Sequence, residues 1–240
     1  MDETFTALVV AHLIADFPLQ PDWMIRRKKN PAMLGVHAAI VAGTAVLALG
    51  AWPLSLLAIL VVTHLAMDAI KVFFLKDALG SFALDQIVHL GIIAGLASAF
   101  PEVVADGWWA GLEPSELNVY FMGLCLMGGL ILSLHVGAII IRKATIPFTN
   151  QIEGEIQGLQ DGGFYIGCLE RALVMLLMLI NQPTGVGFLI TAKSVLRFGD
   201  ISESHQRKLT EYIIIGTFMS FGWGLLIAVL TQLAIRHWEN

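Results

Sequence analysis

The chain has 240 residues, of which 57% are hydrophobic and 14% charged, and its mean hydropathy is +0.76. Soluble proteins carry roughly a quarter charged residues, so this chain could not cover its surface in water. The net charge of −5 argues against a nucleic-acid partner, which would require a basic face. The two cysteines, Cys125 and Cys168, lie in apolar runs and form neither a disulfide scaffold nor a CxxC metal motif. The composition predicts an integral membrane protein.

About eight apolar runs approach the roughly 20 residues that cross a bilayer as a helix. They lie at 4–19, 32–50, 52–75, 82–100, 118–141, 164–181, 184–198 and 211–235. The first and seventh runs are short, and the seventh is predicted to be a short or re-entrant segment. The predicted fold class is an all-α, polytopic bundle of membrane-spanning helices.

The charged residues predict how the bundle is oriented. With the N-terminus outside, every lysine and arginine except Arg236 falls on the interior side, and the exterior loop 101–117 is acidic. This positive-inside bias places both termini outside. The loop divides the chain into a four-span half at 1–100 with a His/Asp cluster and a four-span half at 118–240 with a Glu/Arg/Lys cluster. The interior connection 144–163 is predicted to hold an interfacial helix with a Gly-Gly hinge.

Ionisable side chains inside membrane spans are costly, so their placement points to function. The first half contains three His/Asp pairs in which the partners lie four residues apart, on one helix face, and one further histidine. These candidate metal ligands are His12, Asp16, His37, His64, Asp68, Asp85 and His89. In the predicted topology all of them lie at one depth, in the cytoplasmic leaflet.

Imidazole and carboxylate ligands together suit a divalent metal ion, with zinc favoured over iron or manganese. Four histidines and three aspartates exceed the needs of one ion, so the surplus would bind a second metal or orient the imidazoles. An aspartate that does not bind the metal, Asp16, Asp68 or Asp85, would act as the catalytic general base. The alternative for each group is helix–helix packing through polar contacts.

The second half contains a cluster of charged residues at the same predicted depth. These candidate substrate-binding residues are Glu170, Arg171, Lys193, Arg197 and Glu211. Arginine and lysine here could hold a phosphate, since arginine binds it through two parallel hydrogen bonds and lysine as a point charge. A closed structural network of ion pairs and, for Arg197, contact with lipid headgroups are the alternatives.

The stretch from His12 to Gln20, with Trp23, Lys28 and His37 behind it, resembles a family of uncharacterised bacterial inner-membrane proteins known as a domain of unknown function. Shorter members share the patterns HxxxDFxxQ, HxxxD and DQxxH. The second half is similar to longer members through GxxIGxLER, AKSxxRF and EYxxxGTxxS. The resemblance implies a multi-pass protein of the bacterial inner membrane and brings no settled activity.

The leading functional expectation is a metal-dependent hydrolase or transferase. It would act at the cytoplasmic leaflet on a phosphoester or ester of a membrane lipid or isoprenoid-like anionic substrate, with Arg171, Lys193 and Arg197 holding the anionic head beside the metal. The alternatives are an ion- or proton-coupled transporter that uses the same His/Asp groups and a structural membrane subunit. A homo-oligomer is left open.

Overall fold

The computed structural model describes residues 1–152, 161–197 and 204–239, and the regular elements in these ranges are all helical. The α-helices are α1 (Asp2–Asp16), α2 (Asp22–Ile25), α3 (Pro31–Leu49), α4 (Leu54–Phe74), α5 (Leu79–Ala99), α6 (Pro114–Ile131), α7 (Gly137–Thr149), α8 (Gly162–Leu179), α9 (Thr184–Arg197) and α10 (Ser204–His237). A 3₁₀ turn lies at Trp108–Gly111, and a π-helical segment, Leu132–Val136, joins α6 to α7. The all-α prediction is confirmed.

Six helical stretches in the described residues are long and apolar enough to cross a membrane. They are Pro31–Leu49, Leu54–Phe74, Leu79–Ala99, Pro114–Thr149, Gly162–Leu179 and Arg207–His237. The helices α1 and α9 correspond to the two short predicted spans, with 15 and 14 residues. Helix α1 ends at Asp16, earlier than the predicted residue 19, because Pro18 lacks the backbone N–H that would continue the helical hydrogen bonds. The count of eight spans and the orientation stay predictions.

The chain divides into two compact units. Unit 1 comprises Met1–Ile131 and the C-terminal residues from Ala234 onward. In it, α1 packs against α3, α5 and α6, and α4 packs against both α3 and α5. The small residues Ala7, Ala11 and Ala45 are buried where these helices meet, and small side chains let helix backbones approach closely in a membrane. Helices α1, α3, α4 and α5 thus surround a common interior, and α6 packs against α1.

Unit 2 comprises Leu132–Leu233. Within it, α8 packs against the π-helical segment, α7 and α9. Small apolar clusters join these elements, one around Val174 and Phe221 and another around Met175 and Ile227. The interfacial helix predicted within 144–163 falls largely on residues 153–160, outside the described ranges. Helix α7 itself continues to Thr149, beyond the predicted end at 141, and α8 begins at Gly162.

Candidate metal centre

Unit 1 brings together all seven residues that the sequence predicts as metal ligands. His12 and Asp16 lie one turn apart on α1, His37 on α3, His64 and Asp68 on α4, and Asp85 and His89 on α5. Each of these side chains is buried, with Asp16 the most exposed at 9%. The helices that pack around the interior therefore carry the polar groups into it.

The Asp16 carboxylate lies at the centre of this cluster. Its Oδ1 atom is 3.3 Å from Nε2 of His37, 3.4 Å from Nε2 of His64 and 3.7 Å from Nδ1 of His12. Zinc bonds of about 2.0–2.1 Å in a tetrahedral site place neighbouring ligand atoms about 3.3 Å apart. The separations around Asp16 therefore fit a metal ion bound by one carboxylate and several imidazoles.

The second carboxylate, Asp68, also lies close to His37 and His64. Its Oδ2 atom is 3.5 Å from Nε2 of His37 and 3.7 Å from Nε2 of His64, and these two nitrogens are 3.0 Å apart. Lys28 donates to both Asp68 oxygens at 2.8 Å, and its side chain is buried. Gln20 packs its amide against the His37 ring, with Nε2 2.8 Å from the ring Nε2. Asp68 therefore has its own counter-ion.

Two groups of residues have ligand atoms within 4.8 Å of one another, and they share His64. The first is His12, Asp16 and His64, and the second is His37, His64 and Asp68. The two groups include five of the seven predicted ligands, and Asp85 and His89 lie beside them rather than within them. The rings of His12 and His89 stack with their centroids 5.0 Å apart, and those of His64 and His89 are 4.3 Å apart.

Asp85 anchors a chain of hydrogen bonds that ends at His12. Its Oδ2 atom accepts from Lys71 and, at 3.1 Å, from Nε2 of Gln86. A carboxylate beside an ammonium group only accepts hydrogen bonds, so this contact sets the direction of the Gln86 amide. The amide oxygen of Gln86 then lies 3.2 Å from Nε2 of His12. His12 therefore donates from Nε2, because an amide oxygen has no hydrogen to give.

This hydrogen bond decides which His12 nitrogen carries a lone pair. In a neutral imidazole that donates from Nε2, Nδ1 is bare. Nδ1 of His12 faces Oδ1 of Asp16, so two acceptors lie 3.7 Å apart. Oδ1 of Asp16 is buried and has no hydrogen-bond partner among the described residues. Metal-bound histidines commonly donate their second ring N–H to a fixed acceptor in this way. The two facing acceptors could hold a cation between them.

The ion pairs of the cluster also distinguish Asp16 from the other two carboxylates. Lys28 pairs with Asp68 and Lys71 pairs with Asp85, whereas Asp16 has no lysine or arginine partner among the described residues. Burying an unpaired carboxylate is costly unless a cation compensates it. Asp16 is therefore the buried carboxylate of the cluster that lacks a lysine or arginine partner, and the imidazoles converge on it.

In unit 2, Arg171 is buried and is bonded to backbone carbonyls rather than to a carboxylate. Its Nε donates to the Ser133 carbonyl at 2.7 Å, Nη2 to the Leu134 carbonyl at 3.1 Å, and Nη1 to Oγ of Ser220 at 3.0 Å. A π-helical segment interrupts the usual helical ladder, and its carbonyls need other donors inside a membrane. Arg171 supplies them, and Trp223 donates to Leu132 in the same segment at 2.9 Å.

The remaining residues of the second predicted cluster form ion pairs where the structure describes them. Lys193 pairs with Glu170 at 2.6 Å, and both side chains are partly exposed. Glu211 pairs with Arg207 one turn away on α10, at an exposed position. The backbone of Arg197 ends α9, and its side chain lies outside the described residues. The structure thus groups Glu170 with Lys193 and gives Arg171 separate partners.

The sequence prediction missed three residues that shape the metal centre: Lys28, Lys71 and Gln86. Both lysines contribute to the positive-inside bias, Lys28 also belongs to the stretch that resembles the family, and Gln86 belongs to the DQxxH pattern. None of the three is predicted as a site residue, yet the side chains of both lysines pair with the buried carboxylates. Gln86 follows Asp85 directly, so its place beside that carboxylate had a signal in the sequence. Lys71 follows Asp68 by three residues but pairs with Asp85, so its spacing did not indicate its partner. A single sequence does not indicate which residues far apart in the chain contact each other, as Gln86 and His12 do.

The helices and the buried polar cluster define a helical membrane protein with a candidate metal centre in its first unit. Residues 4–108 match the family described as Protein of unknown function (DUF3307). This segment fits an uncharacterised domain family, which confirms the predicted resemblance for the first half. The matched segment contains all seven predicted ligands as well as Lys28, Lys71 and Gln86. No curated protein and no solved structure is detectably similar to the chain.

Proposed function

We propose that unit 1 binds a divalent metal ion, with zinc favoured, through Asp16, His12, His37 and His64. The observation that carries the proposal is the buried Oδ1 of Asp16, which lies within 3.7 Å of three imidazole nitrogens and has no hydrogen-bond partner among the described residues. Mixed imidazole and carboxylate ligands suit zinc, and iron or manganese use the same donor types.

The other polar residues would support the ligands. Asp68 accepts from Lys28 beside His37 and His64, and this ammonium group competes with a metal ion for the lone pairs of the carboxylate. Asp85 holds the Gln86 amide that orients His12, which is the usual role of a carboxylate behind a metal-bound histidine. The ligand role predicted for Asp85 is therefore replaced in this proposal by an orienting one.

The reaction that we propose for this centre is hydrolysis or transfer at an ester or phosphoester of an anionic lipid or isoprenoid-like molecule. A bound metal ion polarises the oxygen of such a bond or activates a water molecule. The apolar helices around the cluster and its predicted depth in the cytoplasmic leaflet of a bacterial inner membrane support a membrane-borne substrate. Asp68 and Asp85 remain candidates for the general base.

Within unit 2 we propose Lys193 rather than Arg171 as the group that binds an anionic headgroup. Three donor atoms of Arg171 are already bonded to Ser133, Leu134 and Ser220. Lys193 pairs only with Glu170 among the described carboxylates, and its side chain is 24% exposed. An anion could therefore reach the ammonium group of Lys193 without breaking buried hydrogen bonds.

Elemental analysis of the full-length protein in detergent, purified without chelators, tests the metal proposal. We expect near-stoichiometric zinc, iron or manganese in the wild type and its loss in His12→Ala and His64→Ala. His135→Ala is the matched control, because His135 lies in a predicted span but in neither ligand group. A metal-free wild type, or variants that keep the metal, would refute the proposal. With metal present, lipid phosphates and esters would then be screened as substrates.

The competing function is an ion- or proton-coupled transporter. The chain from buried His12 through Gln86 and Asp85 to Lys71, whose side chain is 35% exposed, connects the cluster with the surface of unit 1. The neutral amide of Gln86 interrupts this chain, because it neither ionises nor accepts a proton near neutral pH. A metal-free protein that moves protons in liposomes, and stops doing so in Asp16→Asn, would favour this function.

A further inference from the structure

A small cavity borders the candidate metal ligands in unit 1. His12, His64 and His89 form its polar wall, and aliphatic side chains of α1, α3, α4 and α5 form most of the remainder, with Thr63 of α4. It is just large enough for about one water molecule. A cavity of this size holds water only if polar partners line it, so the hydrogen-bonding state of His89 and Thr63 is decisive.

His89 presents a free lone pair inside the protein. Its Nδ1 atom lies 2.8 Å from the backbone carbonyl of Asp85, which can only accept, so Nδ1 carries the hydrogen. Nε2 is therefore bare, and it is buried without a hydrogen-bond partner among the described residues. A buried acceptor left unpaired costs free energy, and most such atoms in proteins bind a donor or an ordered water.

Thr63, which carries a hydroxyl group, also lines the cavity. Its hydroxyl lies 2.7 Å from the Ile59 carbonyl and 3.1 Å from the Leu60 carbonyl, so its single hydrogen is already donated within α4. The hydroxyl oxygen keeps lone pairs that can accept one more hydrogen bond. The cavity therefore offers two acceptors, His89 and Thr63, beside two candidate ligands, His12 and His64.

We infer that this cavity is an open coordination position of the metal centre and takes one water molecule. The water would donate one hydrogen to Nε2 of His89 and the other to the Thr63 hydroxyl, which leaves an oxygen lone pair for the metal. The inference rests on the proposed function. It assigns His89 to the water rather than to the metal, and it makes the centre a site with an exchangeable ligand, as in catalytic zinc sites, rather than a closed structural one.

The test uses the full-length protein in detergent, loaded with cobalt(II) in place of the native ion and transferred to D₂O. Electron spin echo spectroscopy then detects deuterium bound next to the metal. The variants are His89→Leu and Thr63→Val, each of which removes one acceptor. Thr44→Val is the matched control, because the Thr44 hydroxyl makes the same contacts to carbonyls three and four residues earlier, at 3.1 and 3.0 Å, but does not line the cavity.

We expect strong deuterium modulation in the wild type and in Thr44→Val, and its loss in His89→Leu and Thr63→Val with cobalt still bound. Bound cobalt without modulation in the wild type would overturn the inference while leaving the metal centre in place. Modulation that survives in both cavity variants would also overturn it, as would loss of cobalt from His89→Leu alone, which would make His89 a ligand. Failure of the wild type to bind cobalt would instead refute the proposed function.

Discussion

Replacing Gln86 by leucine tests the link between the Asp85 network and the metal most directly. Leucine keeps approximately the volume of glutamine but removes the acceptor of the His12 Nε2 hydrogen and one of the donors to Asp85. Lys71 still pairs with Asp85, so the carboxylate stays compensated. The variant therefore changes chiefly the state and orientation of the His12 ring.

The expected loss of metal affinity follows from the two neutral tautomers of the His12 ring, which carry the hydrogen on Nδ1 or on Nε2. Without the Gln86 oxygen, Nδ1 is no longer held as the bare nitrogen, and the Nε2 hydrogen is left buried without a partner. Loss of such an orienting contact typically weakens metal binding 10- to 100-fold, or about 1.4 to 2.7 kcal/mol. The metal-free protein should also lose about 1 to 3 kcal/mol of stability, because a buried donor is left unsatisfied.

Competition with a chromophoric zinc chelator in detergent would measure the affinity. Gln232→Leu is the matched control, since Gln232 donates to the Met178 carbonyl at 2.6 Å within unit 2 and belongs to neither ligand group. It should leave the zinc dissociation constant unchanged. Wild-type affinity in Gln86→Leu would refute the reasoning that the Gln86 amide sets the His12 tautomer.

Three further substitutions test separately the charge of Asp16, the counter-ion role of Lys28 and the hydrogen bonds of Arg171. Asp16→Asn should abolish metal binding yet leave the metal-free protein at least as stable as the wild type in thermal unfolding with chelator, because it removes a buried charge without a lysine partner; a large loss of stability would contradict this. Lys28→Met should destabilise the metal-free protein by about 3 to 5 kcal/mol, since Asp68 is left buried and unpaired. Added zinc should recover part of the lost melting temperature. An unchanged melting temperature in chelator would argue against the buried ion pair. Arg171→Lys should destabilise the protein by about 1 to 3 kcal/mol, because an ammonium group cannot satisfy the Ser133 and Leu134 carbonyls together. Its metal content should stay at the wild-type level. Loss of metal from this variant would contradict the separate roles of Arg171 and the metal centre.

The histidine–aspartate pairs of the candidate metal centre were predictable from the sequence. His12 with Asp16, and His64 with Asp68, lie four residues apart, and helix geometry alone places such partners on one face. Hydropathy then predicted that these faces lie within membrane helices, where ionisable groups are rare. The identity of the cluster therefore followed from spacing and from the cost of burying charge.

The counter-ions were not predictable in the same way. Lys28 and Lys71 fit the positive-inside bias equally well as solvated residues, and only helix packing shows that each one reaches a buried carboxylate. Arg171 illustrates the same limit, because its role depends on the π-helical carbonyls of Ser133 and Leu134. The π-helical segment shifts the helical hydrogen bonds by one residue, and such a shift leaves no clear mark in composition or periodicity.

The sequence by itself determined the helical membrane class, the approximate spans and the set of histidines and aspartates, because these depend on local periodicity and on the free energy of transfer into lipid. Only the tertiary structure decided which carboxylate lacks a counter-ion, which nitrogen of His12 is bare and where a water-sized cavity lies. Those features depend on contacts between helices distant in the chain, as between His12 and Gln86. Side-chain packing within unit 1 therefore places Asp16 at the centre of the proposed metal site.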